Sequence, residues 1–425
     1  MSSSLDMSSA CPDELEEARS WAGDFDPLGE EGERKVLFSA LDSFMQYRRS
    51  AHLNTTHRRR QAFYALPTRH WQMLAEPPFS LLDNFNKVDD AIDANADIAD
   101  AIIGTGLKSF GLSEKPDPSD MSRNWRGIAN SADVNKAHST IRQFYRDWSA
   151  EGRAEREACY EPVLRDLNRE FPDKLEREEF VKVLVPGAGL GRLVFEVCRA
   201  GFAAEGNEIS YHQLLASSWV LNHTEGAERH ALYPFALHFS NVLSREQQLR
   251  KVMIPDVHPA TAMLEAQVSQ TPFGTMSMSA ADFVVLYSSP SQTDAFDAVA
   301  TVFFIDTAPN LIRYIEAIRN CLRLNGIWIN VGPLLWHFEG HQRTHSPGGN
   351  SSSDGTENLG IGEPGNVELT EDEVFFLIER MGFRIEKIEA VEERVECGYI
   401  QDPDSMLRSL YRPSHWIARK VKNLD

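Results

Sequence analysis

The stretch Val181-Lys-Val-Leu-Val-Pro-Gly-Ala-Gly-Leu-Gly-Arg192 decides the fold of this chain. An apolar, β-branched run breaks there into closely spaced glycines, and an apolar helical pattern resumes at Leu193. This order predicts a buried strand, a tight turn and a helix. Gly187 and Gly189 would let the backbone turn sharply and approach a ligand without an intervening Cβ. The turn is therefore predicted to bind a nucleotide.

The same turn indicates which nucleotide is bound. Glu208 lies at the end of the next predicted strand, where a carboxylate can accept hydrogen bonds from both ribose hydroxyls. A nicotinamide dehydrogenase needs a third glycine for close helix packing, and this chain has Arg192 at that position. The spacing of Gly187, Gly189 and Gly191 is nearer to that of class I methyltransferases, so S-adenosylmethionine is the predicted cofactor. The loop alone leaves a purely structural β-to-α turn open.

Composition excludes several partners. The 425 residues include 43 basic and 63 acidic side chains, and the net charge of −20 disfavours nucleic acid and anionic membrane surfaces. No apolar run is long enough to cross a bilayer, and the first residues do not resemble a signal peptide. We therefore expect a cytoplasmic protein, with the nucleus left open. Five scattered cysteines without a C-x-x-C pair indicate reduced thiols and no metal site.

Periodicity predicts three parts: a disordered tail over 1–33, a helical region over 34–125, and an α/β domain over 126–425. The polar stretch 340–366 is predicted to be a mobile surface insertion in that domain. Strand-like runs cover 181–185, 202–206, 281–287, 297–305, 326–331, 383–391 and 415–420. Their alternation with helical patterns predicts a mostly parallel sheet, with the last two runs as an antiparallel pair at its edge.

Polar residues follow several of these strands, at the sheet edge where α/β proteins bind ligands. Asp282 could accept a hydrogen bond from an adenine amino group, with the ring or backbone of Phe283 against the base, or it could cap a strand end. Asp306 ends an apolar run, where an unpartnered carboxylate is costly to bury. It could fix the tautomer of an acceptor imidazole, or cap the helix predicted over 310–322. His337 lies just beyond another strand end, where it could meet a substrate.

Several stretches together resemble the carnosine N-methyltransferases. They are Gln143–Trp148, Glu155–Tyr160, Val185–Leu193, Gly206–Glu208, Ile254–Val257, Ala281–Phe283, Phe303–Ala308, Gly326–Asn330, Gly332–Leu335 and His337–Glu339. This resemblance implies a class I methyltransferase fold, Rossmann-like, with a mostly parallel seven-stranded sheet, helices on both faces and a helical N-terminal region. It also implies an enzyme that uses S-adenosylmethionine to methylate the histidine imidazole of carnosine, giving anserine.

The resemblance implies two groups of site residues. The implied cofactor site consists of Gln143, Arg146, Gly187, Gly189, Glu208, Asp282 and Phe283. The implied dipeptide site consists of Asp306, His337 and Tyr411. This chain departs from the family at Ser409-Leu-Tyr-Arg-Pro413, where the family segment is rich in tyrosine, so Tyr399 is an alternative to Tyr411. The insertion after Glu339 is a second departure and bears on the identity of the acceptor.

Three alternatives stay open on the sequence. The acceptor could be another histidine-containing peptide or a histidine in a protein. The domain could bind S-adenosylmethionine without turnover, although a scaffold would not need Glu208, Asp282, Asp306 and His337. A nicotinamide oxidoreductase is disfavoured by Arg192. The sequence also leaves open whether the protein is a homodimer.

Overall fold

The computed structural model describes residues 26–339 and 360–421. These residues form two compact units, one of residues 26–144 with Leu215–Asp256 and the other of Tyr145–Leu214 with the chain from Val257 onward. The units interleave along the sequence, and the linear boundary predicted between residues 125 and 126 stays a prediction. Most of the predicted tail, Cys11 and the stretch 340–359 of the predicted insertion lie outside the described residues.

The first unit is mainly helical. Its helices are α1 (Glu31–Met45), α2 (Tyr47–His52), α3 (Arg58–Tyr64), α4 (Thr68–Ala75), α5 (Leu81–Ser109), most of α6 (Ser131–Trp148), the end of α9 (Tyr211–Asn222) and α10 (Arg245–Gln248). A π-helical turn, Leu53–His57, joins α2 to α3, and strands β3 (His230–Leu232) and β4 (Val252–Ile254) form an antiparallel pair. Helices α3 and α4 are separate because Pro67 cannot continue α3.

The long helix α5 shows why this unit is helical. Phe85, Val88 and Ile92 recur at helical spacing and are buried, so one face of α5 lies in the core. The opposite face is acidic, and Arg48 of α2 reaches it with ion pairs of 2.6 Å to Asp93 and 2.8 and 2.9 Å to two further aspartates. The helical N-terminal region expected from the sequence is thus confirmed.

The second unit alternates strands and helices. Its strands are β1 (Lys182–Pro186), β2 (Ala203–Glu208), β5 (Met276–Ala280), β6 (Phe296–Val302), β7 (Leu322–Gly332), β8 (Phe383–Ile388) and β9 (Ser414–Lys420). Its helices include α7 (Arg153–Glu170), α8 (Arg192–Arg199), α11 (Pro259–Ser269), α12 (Phe283–Tyr287), α13 (Leu311–Cys321) and α14 (Glu371–Arg380). Short 3₁₀ turns occur at Pro290–Gln292, Ile305–Thr307 and Gly360–Gly362.

Seven strands of the second unit form one sheet in the order β5-β2-β1-β6-β7-β9-β8. The first five are mutually parallel, whereas β9 runs antiparallel to both β7 and β8. The order reverses between β1 and β6, which is the crevice where open α/β sheets bind their ligands. This arrangement confirms the class I methyltransferase fold and the antiparallel pair at the edge.

Alternate side chains of the central strands enter two different cores. Leu184, Val299 and Trp328 pack in one core with α12, α13 and α14. Their neighbours Val183 and Ala298 pack in the other core, with α7 and α8. Because successive residues of a strand point to opposite faces, the sheet is covered by helices on both sides, as expected.

Two predicted strands need correction. The stretch 281–287 is not a strand, because Asp282 caps the helix α12 and the preceding Met276–Ala280 forms the strand instead. A short apolar run cannot be assigned to a helix or a strand by periodicity alone, which explains the error. The strand predicted over 297–305 ends at Val302, since Phe303 takes the left-handed conformation at φ 51° and a 3₁₀ turn follows.

Candidate active site

The glycine loop after β1 adopts conformations that favour glycine. Gly187, Gly189 and Gly191 have φ values of 67°, 55° and 76°. A Cβ on Gly187 would lie 2.6 Å from Cδ2 of Phe304, so this position also needs glycine because an aromatic ring packs against it. The loop thus forms a bare backbone surface at the carboxyl ends of β1 and β6.

Arg192 occupies the position at which a dinucleotide-binding turn has its third glycine. Its side chain is buried, and its Nη1 donates to the carbonyl of Asp147 at 2.9 Å while its Nε pairs with Glu196 at 2.8 Å. Its guanidinium also lies 4.9 Å from the ring centre of Trp148, whose Nε1 donates to Leu190 of the loop at 3.0 Å. A cation therefore ties the end of α6 to the glycine loop, where a dinucleotide fold would pack a helix closely.

Glu208 ends β2 with its carboxylate turned toward the same loop. Oε2 accepts from the amide of Gly189 at 2.9 Å, and Oε1 accepts from the amides of Ile209 and Ser210, each at 2.9 Å. Burial raises the pKa of Glu208, although the three amides favour the ionised form. A carboxylate that lies next to the loop, and whose charged form is disfavoured by burial, is suited to accept hydrogen bonds from the hydroxyls of a ribose.

Asp282 and Phe283 follow β5 and have different surroundings. Asp282 accepts from the amides of Val284 and Val285 at 2.8 and 3.1 Å, so it caps a helix rather than a strand. The Phe283 ring is buried and packs edge-on against Phe304, 5.2 Å between centroids. The ring is therefore enclosed in the core, which leaves the main chain as the part of Phe283 that an adenine can meet.

Asp306 and His337 come together beyond the ends of β6 and β7. The Asp306 side chain is only 2% exposed, and Oδ2 accepts from the amide of Leu335 at 3.0 Å. The amide of His337 donates to the carbonyl of Asp306 at 3.1 Å, and the His337 side chain is exposed. Burial raises the pKa of Asp306, while the Leu335 amide and the charge of His337 oppose that rise. The helix-cap alternative is wrong, because Asn310 caps α13 through the amide of Ile312 at 3.1 Å.

Arg146 is held in place by two neighbours. Its Nε pairs with Asp147 at 2.7 Å, and its guanidinium lies 4.5 Å from the ring centre of Tyr399. Burial works against the charged form, but Asp147 outweighs it, so the pKa of Arg146 is raised and the cation is permanent. Gln143 is buried one helical turn earlier on α6 and belongs to the first unit.

Tyr399 and Tyr411 both contact Phe303, the residue that turns the chain from β6 toward Asp306. The ring centroids of Tyr399 and Tyr411 lie 5.5 and 5.7 Å from that of Phe303. The main chain of Tyr411 pairs with that of Cys397 at 2.8 and 3.0 Å. Both tyrosines therefore border the same turn, and the choice between them stays open.

Sequence reasoning missed the residues that shape the site through the main chain. Phe304 was expected to lie within a strand, although its ring fills the space left by Gly187. Phe303 has a positive φ, which is rare for an aromatic residue and is typical of constrained functional turns. The Leu335 amide that fixes Asp306 also escaped notice, because no sequence pattern reports a long-range backbone contact. The sudden end of the apolar run at Asp306 was the only available signal.

Comparisons with known proteins show what this chain is similar to. Residues 123–422 match the family model described as carnosine N-methyltransferase. The carnosine N-methyltransferase of Schizosaccharomyces pombe is 36% identical over 396 residues, covering 93% of this chain and 98% of that protein. The carnosine N-methyltransferase of Mus musculus is 33% identical over 388 residues, covering 91% and 86%. Among solved structures, this chain is similar to a magnesium protoporphyrin IX methyltransferase from Synechocystis with bound S-adenosylhomocysteine. The alignment covers 68% of this chain and 95% of that one, with 11% sequence identity and a TM-score of 0.34.

Proposed function

The chain belongs to the carnosine N-methyltransferase family, and from this premise we propose that it uses S-adenosylmethionine to methylate the histidine imidazole of carnosine, giving anserine. The observation that carries the proposal is the buried carboxylate of Asp306 beside His337 at the carboxyl edge of the sheet. The relatives do not favour a catalytically silent module or a nicotinamide oxidoreductase.

The residues of the glycine loop fit the methyl donor. Gly187 leaves the backbone bare, and Glu208 presents a half-buried carboxylate that can accept hydrogen bonds from two ribose hydroxyls. Asp282 and the main chain of Phe283 follow β5, where the adenine would bind. Arg146 would hold the carboxylate end of the donor, and its permanent charge suits that role. When bound, S-adenosylmethionine supplies a methyl group already activated on a sulfonium.

Asp306 supplies what the acceptor needs. A neutral imidazole has one N–H and one nitrogen with a free lone pair, and only the second can accept a methyl group. If the Asp306 carboxylate accepts the N–H, the tautomer is fixed and the lone pair points away from the carboxylate. The lone pair would bond to the methyl carbon as the bond from that carbon to the donor sulfur breaks, leaving S-adenosylhomocysteine. The cationic ring would then lose its N–H proton to water. His337 and either Tyr411 or Tyr399 would contact the rest of the dipeptide.

The test is methyl transfer from isotopically labelled S-adenosylmethionine to carnosine, followed by mass spectrometry of the dipeptide. We expect one labelled methyl group on the imidazole, and fragmentation with a synthetic anserine standard identifies the nitrogen. A chain that binds S-adenosylhomocysteine but leaves carnosine unmodified would refute carnosine as the acceptor. Parallel reactions with other histidine dipeptides and with a histidine-containing protein would then identify the alternative acceptor.

Three expectations from the sequence stay proposals. The domain limits, the cytoplasmic location with the nucleus left open, and the homodimer are not decided by the fold. Within residues 26–339 and 360–421, no helix is both long and apolar enough to cross a membrane.

A further inference from the structure

The described chain resumes at Gly360 with a segment that contacts the proposed donor site. We call residues 360–369 the strap. The amide of Ile361 donates to Oδ2 of Asp282 at 2.9 Å, so the strap holds the carboxylate oxygen that does not cap α12. Gly360 has a φ of 58°, and a Cβ there would lie 2.4 to 2.5 Å from the carboxyl atoms of Asp282. Only glycine allows this contact.

The middle of the strap is anchored to α13. Glu363 forms two parallel bonds with Arg313, from Nε to Oε2 at 3.1 Å and from Nη2 to Oε1 at 3.0 Å. Such a two-point pair fixes direction as well as distance. The amide of Val367 also donates to the carbonyl of Pro309 at 3.0 Å. Because Pro309 closely follows Asp306 in sequence, the strap is fastened next to the proposed acceptor site.

The far end of the strap holds the segment that carries His337. Nδ2 of Asn366 donates to the carbonyl of Phe338 at 2.7 Å. Nε1 of Trp336 donates to the carbonyl of Leu369 at 3.1 Å. The residues on both sides of His337 are therefore bonded to the strap, while the exposed His337 side chain is left to meet a substrate.

We infer that the strap positions both substrates of the proposed reaction. Gly360 and Ile361 orient Asp282 toward the donor adenine, Asn366 orients His337 toward the acceptor, and the Arg313–Glu363 pair anchors the strap. These are positioning residues, since they act through Asp282 and His337. The inference rests on the proposed function, so wild-type binding of S-adenosylhomocysteine and turnover of carnosine are measured first. Failure of those measurements would count against the proposed function itself.

The donor arm compares Gly360→Ala with Gly362→Ala. Gly362 lies two residues away and outside the positive-φ region, and among the described residues beyond its chain neighbours no atom lies within 4 Å of its Cβ position, so alanine fits there. Gly360→Ala should displace the strap from Asp282 and weaken S-adenosylhomocysteine binding about tenfold by calorimetry, the size expected for one charge-assisted hydrogen bond. Gly362→Ala should bind as the wild type does. Equal affinities for the two variants would overturn the inference.

The acceptor arm uses Asn366→Asp, which replaces the amide donor facing the Phe338 carbonyl with an oxygen. The KM for carnosine should rise severalfold at saturating donor, while the affinity for S-adenosylhomocysteine stays unchanged. Gly360→Ala should show the opposite pattern. If each variant changes both constants in the same proportion, the strap is merely structural and the inference is wrong.

The Arg313–Glu363 pair provides a test of the strap that, unlike Gly360→Ala, introduces no backbone strain. Arg313 pairs with Glu363 on the strap and also with Glu316 on its own helix, at 2.7 Å. Glu363→Ala should raise both the dissociation constant of S-adenosylhomocysteine and the KM for carnosine, because it frees the whole strap. Glu316→Ala removes the other carboxylate from the same arginine and should change neither constant. If the two variants behave alike, the strap has no positioning role.

Discussion

Asp306→Asn is the substitution that most directly tests the proposed chemistry. Asparagine has the shape of aspartate, and its amide oxygen can still accept from the Leu335 amide, now at 3.0 Å from Oδ2. Its nitrogen, however, would face the N–H of the acceptor imidazole with a donor instead of an acceptor. The variant should therefore keep the fold and lose the control of the imidazole tautomer.

The expected loss follows from the strength of a charge-assisted hydrogen bond. Such a bond is worth about 1.5–3 kcal/mol, so kcat for carnosine should fall about 10- to 150-fold. The effect should appear in kcat because the ring becomes cationic as the methyl group transfers, which strengthens its bond to a carboxylate. The affinity for S-adenosylhomocysteine should not change, since Asp306 is assigned to the acceptor.

Stability should change in the opposite direction. Burial raises the folded-state pKa of Asp306 above its unfolded value, so the ionised carboxylate costs folding free energy at neutral pH. This cost disappears below the unfolded pKa of about 3.9. Asp306→Asn removes the ionisable group, so at pH 7 the variant should melt at or above the wild-type temperature. Its advantage should shrink as the pH falls.

Asp297→Asn is the matched control. Asp297 lies at the amino end of the same strand, accepts from the Lys182 amide at 2.8 Å and pairs with Arg323 at 2.8 Å. Initial rates by mass spectrometry, calorimetry and thermal melts are measured for both variants. The reasoning fails if Asp306→Asn keeps kcat within twofold, if it loses donor affinity, or if it melts well below Asp297→Asn.

Three further predictions concern the donor loop and the tyrosines. Glu208→Ala should weaken S-adenosylhomocysteine binding about 10- to 150-fold by calorimetry. The affinity of the wild type should also fall as the pH drops through the raised pKa of Glu208, and the variant should lack this pH dependence. Arg192→Gly should cost about 1–3 kcal/mol in chemical denaturation because the buried carbonyl of Asp147 loses the Arg192 donor, and NADH should still not stabilise the protein in a thermal melt. Tyr399→Phe and Tyr411→Phe both keep the ring against Phe303. The variant that raises the KM for carnosine identifies the tyrosine hydroxyl that contacts the substrate. If neither variant changes the KM, neither hydroxyl contacts the substrate.

Sequence reasoning predicted the position of residues at the sheet edge correctly where a buried strand ends in a polar residue. The carboxyl ends of parallel strands share one edge of the sheet, so a polar residue that ends an apolar run is predicted to lie at that edge. Glu208 and Asp306 were found this way, and the structure places both at that edge. The desolvation cost of Asp306 was inferred from its apolar neighbours, and its 2% exposure agrees with that inference.

Sequence reasoning failed where the local pattern did not determine the conformation. The run Phe283–Tyr287 is apolar enough for a buried strand, but Asp282 can cap a helix, and tertiary packing selected the helix. Residues 360–366 have the composition of a mobile loop, yet Ile361 and Asn366 bond to Asp282 and Phe338. Such contacts join residues far apart in the chain, so composition within a short window cannot report them.

The direction of the pKa shift differs between the two carboxylates proposed to bind ligands, Glu208 and Asp306, and the buried carboxylate of Asp166. Asp166 is fully buried, but His415 at 2.7 Å and Lys387 at 3.4 Å outweigh the desolvation and lower its pKa. Burial raises the pKa of Glu208 and Asp306 instead: backbone amides contact both carboxylates, and at Asp306 the charge of His337 opposes the rise without cancelling it. A carboxylate with its partners in the fold stabilises the fold when ionised. A carboxylate without such partners lowers the stability of the fold until a ligand donates hydrogen bonds to it. We expect this of Glu208 before the ribose binds and of Asp306 before the imidazole binds.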